Sequence, residues 1–368
     1  MLANTIENVF PNSMSALSAP GQGTHVSIVM RTKDRPVLLA RAIASVLSQE
    51  HQDWHLYIVN DGGDKKCVDD LVEMHATAFN GRVTVTHHDY SHGMEAASNA
   101  GVAKSTGDFL AIHDDDDAWH PYFLRDTVGY LTDPKNAHYA AVISHCVIVY
   151  EKIDDDGEGT QELERVRGHL SPAYVDYASM LDGNLFPPIS LLIRRCVADR
   201  IGGFNANLPV LGDWDYNLRI LREGDIGVVP KELSYYYHRR GSKDGYGNSV
   251  IAGVDKHKLF HSHYTNAYIR SLGPGHYEMT RVLSQMLRQD REKMHAELGA
   301  RFDAMWNQVN HLTQQVNHLL HVNNVQSATI EQIATTARSV SKSMRPMQWV
   351  WRKMLPVRHW VARRRGLI

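Results

Sequence analysis

The stretch GDFLAIHDDDDAWHPYFL, residues 107 to 124, sets an apolar run directly against four consecutive aspartates, Asp114 to Asp117. Adjacent carboxylates repel one another, and such a cluster just past a buried strand is disfavoured unless a cation or the positive end of a helix offsets it. Asp116 or Asp117 would serve as N-cap to a following helix over HPYFLRDTVGYL, because aspartate is a strong cap. A cap needs one carboxylate, so four point to something positive. All-oxygen ligands select a hard cation, Mg2+ or Mn2+, which binds through one or two carboxylates together with substrate phosphates.

Upstream of the aspartates, short β-rich runs alternate with helical periodicity. HVSIVM reads as a strand, RPVLLARAIASVLSQ as a helix with Pro36 in its first turn, and HLYIVND as a second strand. DLVEMHATAF reads as a helix, RVTVTHH as a strand, GMEAASNAGVAKS as a helix and DFLAIHD as the fourth strand. This βαβαβαβ series predicts a parallel sheet with crossover helices. In open sheets of this kind ligands sit beyond the carboxyl ends of the strands, where both acidic turns, VNDGGD and HDDDD, fall. Downstream, GDWDYNLRI predicts an amphipathic helix with Asp213 at its N-terminus and Trp214, Leu218 and Leu221 toward the core. FPPIS places a rigid turn at Pro187 and Pro188, and RRGSKDGYGNSV, residues 239 to 250, is a polar Gly-rich loop that either closes over a ligand or connects domains.

The chain has 368 residues, 43% of them apolar and 22% charged, enough to bury a sizeable core. Cys67, Cys146 and Cys196 are odd in number and form no CxxC pattern, which argues against a disulfide framework or zinc ribbon and fits a reducing cytoplasm. His257, His261 and His263 lack a nearby carboxylate or cysteine to complete a transition-metal set. The N-terminus has neither a basic start nor an apolar block, so no signal peptide or spanning helix is expected, and residues 1–24 read as a mobile tail. The formal net charge of -2 conceals an asymmetry: the last acidic residue is Glu331, and nine Lys or Arg follow it.

The order of these pieces resembles family 2 glycosyltransferases of the GT-A fold. The resemblance rests on VSIVMRTKDRPVLLARAIASVLSQ, DWHLYIVNDGGD, HGMEAASNAGVAKSTGDFLAIHDDDDAWHPYFL and NLFPPISLLIRRCVADRIGGFNANLPVLGDWDYNLRI, and covers about residues 26 to 240. It implies a mostly parallel nucleotide-binding sheet flanked by helices. It also implies an inverting, metal-assisted transfer of a sugar from a nucleotide-diphosphate donor, favoured as UDP, to an acceptor hydroxyl. By the same resemblance Thr32, Arg35 and Asp61 hold the nucleotide, Asp114 and Asp115 face the ribose and metal shell, and Asp116 is the foremost metal ligand. Asp114 and His238 complete the expected metal set. Asp213 matches the general base, with Asp215 in reserve because Gly212 stands where many relatives carry an acidic residue. Two other classes remain open: a nucleotidyltransferase with a similar sheet and aspartate-bound metal, and a non-catalytic scaffold organised by its C-terminal helix.

That helix is the last expectation. From Phe302 to Met344 the apolar positions step by three and four in a sustained heptad register, with Asn323 at a seam position. This predicts self-association through a coiled coil, as a parallel dimer or next a trimer. The final segment mixes Trp349, Trp351 and Trp360 with seven Lys or Arg and no acid, a composition suited to an anionic membrane surface more than to nucleic acid. The expected organisation is therefore a tail over 1–24, a GT-A domain over 25–245, linker and helices over 246–300, a coiled coil over 301–344 and a membrane-associating tail over 345–368. A protein so built would sit in the cytoplasm, peripheral to the inner membrane, and act on a glycan or lipid-linked acceptor.

Overall fold

The structure, a computed structural model, describes residue 17 and residues 23–154, 159–239, 254–271, 274–322, 331–346, 349 and 353. Most of the N-terminal tail, nearly all of the loop over 239–250 and most of the C-terminal basic tail lie outside the described residues. The chain divides into two units, Met1–Thr265 and Asn266–Ile368.

In the first unit, strands β1 (Val26–Thr32), β2 (Trp54–Asp61), β3 (Val83–His88) and β4 (Phe109–Asp114) pair in parallel in the order β3-β2-β1-β4. Helices α1 (Pro36–Leu47), α2 (Lys65–Met74), α3 (Ala76–Phe79) and α4 (Met94–Lys104) connect them. Pro36 at the start of α1 has its φ preset for a helix and lacks only an N–H that would have gone unpaired. Asp64 caps α2, accepting from the Lys66 N–H at 2.8 Å. The single helix expected over DLVEMHATAF divides at His75, and α3 stops at Asn80, which is left-handed at φ 47°.

The second half of the sheet departs from the expected parallel plan. β5 (Ala118–Trp119) and helix α5 (Phe123–Thr132) lead to the long β6 (Ala141–Ile153), followed by β7 (Thr160–Leu170), helix α6 (Tyr177–Asp182) and β8 (Leu191–Arg194). Helices α7 (Arg195–Ile201) and α8 (Gly212–Glu223) precede β9 (Ile226–Arg239). The strand order is β3-β2-β1-β4-β8-β6-β9-β5, with β7 on β6. β8 enters antiparallel between β4 and β6, β6–β7 and β5–β9 are also antiparallel, and β6–β9 is parallel. The mostly parallel reading thus holds for the first four strands and is corrected for the remainder. Apolar runs report burial on both faces and not strand direction, which long connections leave open.

Side chains alternate across the sheet and build a core on each face. Val26, Ile28 and Met30 of β1 pack with Leu39, Ile43 and Val46 of α1, while Val29 of the same strand joins Leu110, Ile112, Trp214 and Leu218 on the other side. The site therefore stands at the carboxyl ends of strands clamped from both faces.

In the second unit, α10 (Pro274–Val322) and a helix over 331–346, α11, take the place of the one continuous heptad helix expected over 301–344; the helix Val254–Ser271, α9, spans the boundary between the units. Val309, Leu312 and Val316 line a groove of about 480 Å3 together with Ile333, Ala337 and Val340. In one straight helix Val316 and Ile333 would be about 25 Å apart, so sharing a groove requires two helices of the same chain. Asn323 lies outside the described residues. No helix among the described residues is long and apolar enough to cross a membrane.

Candidate active site

The carboxyl ends of β1, β2 and β4 open into a cavity of about 460 Å3 whose walls include Arg31, Asp61, Glu95, Asp114, Asp116 and Asp213. Parallel register puts Arg31 of β1 opposite Asp114 of β4, and the Arg31 guanidinium reaches Asp114 Oδ1 at 2.9 Å and donates to Ser98 Oγ at 2.9 Å. Arg35, just before α1, meets Asp115 at 2.5 Å and Asp116 at 3.2 Å. Arg41 of α1 pairs with Glu151 of β6 at 2.5 Å and donates to the Asp116 carbonyl at 2.6 Å. Arg239, the buried last residue of β9, bonds both Asp116 and Glu151. The charge of the aspartate turn is therefore offset in part by four arginines drawn from β1, the turn before α1, α1 itself and β9.

The capping explanation of the turn does not hold. α5 begins after Tyr122, which makes no side-chain cap, and Asp117 instead accepts the Tyr237 N–H of β9 at 2.9 Å. Ligand atoms of Asp114, Asp116 and Asp117 lie within 4.8 Å of one another, and Asp117 Oδ2 is buried with no hydrogen-bond partner among the described residues. An all-carboxylate donor set with an orphaned buried oxygen fits a hard divalent cation. His238 is not part of this cluster: it stands edge-on to Tyr150 and Tyr236, its buried Nε2 has no hydrogen-bond partner among the described residues, and burial, then Arg239, hold its pKa below the ordinary value. Of the expected set, Asp114 and Asp116 lie in this cluster, together with Asp117, and His238 does not.

Asp115 is not among the residues that line the cavity. Its carboxylate is fully buried beneath the cavity, where Thr32 Oγ1 donates to it at 2.6 Å and Arg35 pairs with it. Burial outweighs Arg35 and pushes its pKa up to about 7, whereas Arg35 and Arg239 overcome burial at Asp116 and hold that carboxyl below the usual range. Asp115, held by Thr32, thus braces Arg35, and Thr32 and Arg35 both line the cavity.

Asp61, at the end of β2, accepts four hydrogen bonds: from His88 Nδ1 at 2.8 Å, Ser91 Oγ at 2.6 Å, the His92 N–H at 2.9 Å and the Gly93 N–H at 3.0 Å. Burial alone would raise its pKa, but these donors win and lower it to about 2. Gly62 beside it has φ 80°, and a side chain there would collide with the Ser91 N–H. Asp61 lines the cavity while fixing the loop that forms one wall.

Asp213 and Asp215 part company because two residues are more than half a helical turn. Asp213, in the first turn of α8, lines the cavity and accepts from Asn184 Nδ2 at 2.7 Å. Asp215 faces the protein interior, ion-paired with Arg219 at 2.8 Å and accepting from Tyr264 Oη at 2.7 Å. Of the two expected candidates for the base, Asp213 lines the cavity and Asp215 is not among its lining residues. Leu211, the residue before α8, is left-handed at φ 69° and also lines the cavity, a strained backbone of the kind that collects at functional sites.

Sequence reading did not single out Arg31, Glu95, Glu151 or Arg239, nor Asp117 as a member of the carboxylate cluster. Arg31 left a usable signal, a charge closing an otherwise apolar strand next to the aspartate strand. Glu151 and Arg239 left none, since they meet only through the β6–β9 pairing.

Comparison with known proteins follows this geometry. A model of the family described as Glycosyl transferase family 2 matches residues 27–179. The putative colanic acid biosynthesis glycosyl transferase WcaA of Escherichia coli (strain K12) is 35% identical over 237 residues, 58% of this chain and 79% of that protein. The uncharacterized glycosyltransferase YwdF of Bacillus subtilis (strain 168) is 28% identical over 205 residues, 56% of this chain and 71% of its own length. Among solved structures, S. aureus TarS 1-349 in complex with UDP-GlcNAc aligns with a TM-score of 0.48 at 16% identity, over 61% of each chain. The mannosyltransferase PcManGT from Pyrobaculum calidifontis in complex with GDP-Man and Mn2+ aligns with a TM-score of 0.45 at 17% identity, over 67% of this chain and 65% of that one. The mixed sheet with flanking helices resembles the GT-A arrangement.

Proposed function

The chain belongs to glycosyltransferase family 2, and from that premise we propose that it transfers a sugar, with inversion, from a nucleoside-diphosphate donor of the uridine type to an acceptor hydroxyl, assisted by a divalent cation. The observation that carries this reading is one cavity at the strand ends that joins Asp61, the Asp114–Asp116 turn and Asp213. The nucleoside would lie toward Asp61 and the loop it fixes, and the acceptor toward Asp213. Arg31 and Arg35, already aimed at the aspartates, would draw the diphosphate into place. Asp114, Asp116 and Asp117 would hold Mg2+ or Mn2+, which when bound offsets the charge gathering on the departing diphosphate. Asp213 takes the proton of the acceptor hydroxyl as that oxygen attacks the anomeric carbon, a contribution of about 10²- to 10⁴-fold for a positioned base.

An acceptor in cell-surface polysaccharide or glycolipid synthesis is supported by the relative named for colanic acid biosynthesis. The basic, tryptophan-containing C-terminal segment supports a peripheral position on the inner face of an anionic membrane, where lipid-linked acceptors are found. The apolar groove of α10 and α11 supports self-association of the second unit. The direct test of the reaction is release of UDP from a panel of UDP-sugars, with Mn2+ and with a chelator. Release that needs the cation and vanishes in Asp116→Ala is expected. Equal release in the chelator, or unchanged cation-dependent UDP affinity in Asp116→Ala, overturns the metal assignment.

A further inference from the structure

Gly212 opens α8 next to Asp213 and is not among the glycines whose positive φ would demand that residue. Space is what excludes a side chain: a Cβ built on Gly212 would lie 2.6 Å from Cγ and 2.8 Å from Cδ of Glu95. Glu95 stands in the first turn of α4, across the cavity wall from α8, and its carboxyl group fills the volume that a residue-212 side chain would otherwise take. It is half-buried and lines the cavity; burial holds its pKa above the ordinary value, with Arg31 favouring the charged form and Asp213 and Asp114 opposing it. Its contact with Gly212 sets the Glu95 carboxyl group beside the start of α8, next to Asp213.

We propose that Glu95 is a specificity-determining residue that binds hydroxyl groups of the transferred sugar, with Arg31 steadying its carboxylate. The inference rests on the donor reading given above, in which the sugar lies between the aspartate turn and Asp213. An ionised carboxylate presents two acceptor oxygens, the complement of neighbouring hydroxyls on a pyranose ring, and Arg31 is itself held in place by Asp114 and Ser98. Gly212 acts in the same arrangement by leaving room for that carboxylate. Arg31 reaches the Met94 carbonyl as well, tying the start of α4 to β1 and fixing where Glu95 begins.

The test uses the full chain with Mn2+, titrated calorimetrically with UDP and with UDP-hexoses and their deoxy analogues. Glu95→Gln is expected to bind UDP as the natural chain does and to lose about ten- to a hundred-fold for the preferred UDP-hexose, the range for a hydrogen bond to a charged partner. Its discrimination between that hexose and the deoxy analogue should shrink by the same factor. Gly212→Ala, which displaces the carboxylate without removing it, should reproduce the selective loss, and retained UDP affinity certifies that both variants are folded. Equal losses for UDP and UDP-hexose, or unaltered discrimination, overturn the role of Glu95 while leaving the donor reading intact. A natural chain that binds UDP but gains nothing from any attached hexose also overturns it, and one that binds no nucleoside diphosphate overturns the donor reading together with it.

Discussion

Asp213 and Asp215, two positions apart, part the proposed chemistry from architecture. Asp213→Asn keeps size but cannot take a proton, so transfer should fall by about 10²- to 10⁴-fold while UDP affinity is retained. Asp215→Asn leaves Arg219 without its charge partner in the interior and should lower the unfolding free energy by about 2 kcal/mol with the per-molecule rate nearly kept. Steady-state kinetics beside urea denaturation separates the two. Asp61 makes a second residue-scale prediction. Its folded pKa is depressed to about 2 from 3.8, so its stabilisation is complete above about pH 4 and is lost as pH falls toward 2. Over that window the natural chain should lose about 2 kcal/mol more than Asp61→Asn, measured by denaturant titration at each pH. The aspartate motif and Asp213 were legible in sequence because each sits in a short pattern with its own turn or helix start. The division of labour within Asp114–Asp117 was not, since it depends on which of four neighbours faces Arg35, Arg239 or Tyr237.

At the scale of elements, the first βαβαβαβ series was readable almost residue by residue: its connections are short, and burial on both faces writes unbroken apolar strands. The β4–β8–β6–β9 half was not, because its neighbours are far apart in sequence and periodicity carries no record of strand partners. That half nevertheless secures the site. Arg239 joins β9 to Glu151 on β6 and to Asp116, while Arg41 joins α1 to the same glutamate. Truncating one member of a buried ion pair strands the other charge, at about 3–5 kcal/mol. Arg239→Met should therefore destabilise by that amount, and Arg239→Met combined with Glu151→Met should recover part of the loss. Chemical denaturation of the two variants and the natural chain checks the prediction; additive losses would show that the residues do not form one network.

The chain divides between residues 265 and 266, and within the first unit α9 carries Tyr264 and His261 onto Asp215 and Trp214. A chain ended after Ser271 should keep UDP binding and a cooperative melt. It should also lose self-association and attachment to anionic vesicles, read by sedimentation equilibrium and vesicle co-sedimentation. Heptad spacing made the C-terminal helices visible in sequence but could not reveal that α10 and α11 line a groove together, since the same apolar stripe suits a partner chain or a neighbouring helix. The reach of Arg239 has one more consequence, for the order in which the protein is born. Its partner Asp116 lies 123 positions earlier in the chain. At about 5–20 residues per second, translation leaves the aspartate turn without this counter-charge for about 6 to 25 seconds. The β1–β4 half thus emerges from the ribosome with three of the four arginines that offset its aspartate turn, the last arriving with β9, and nascent chains stalled before β9 should be the forms that proteases cut and chaperones hold.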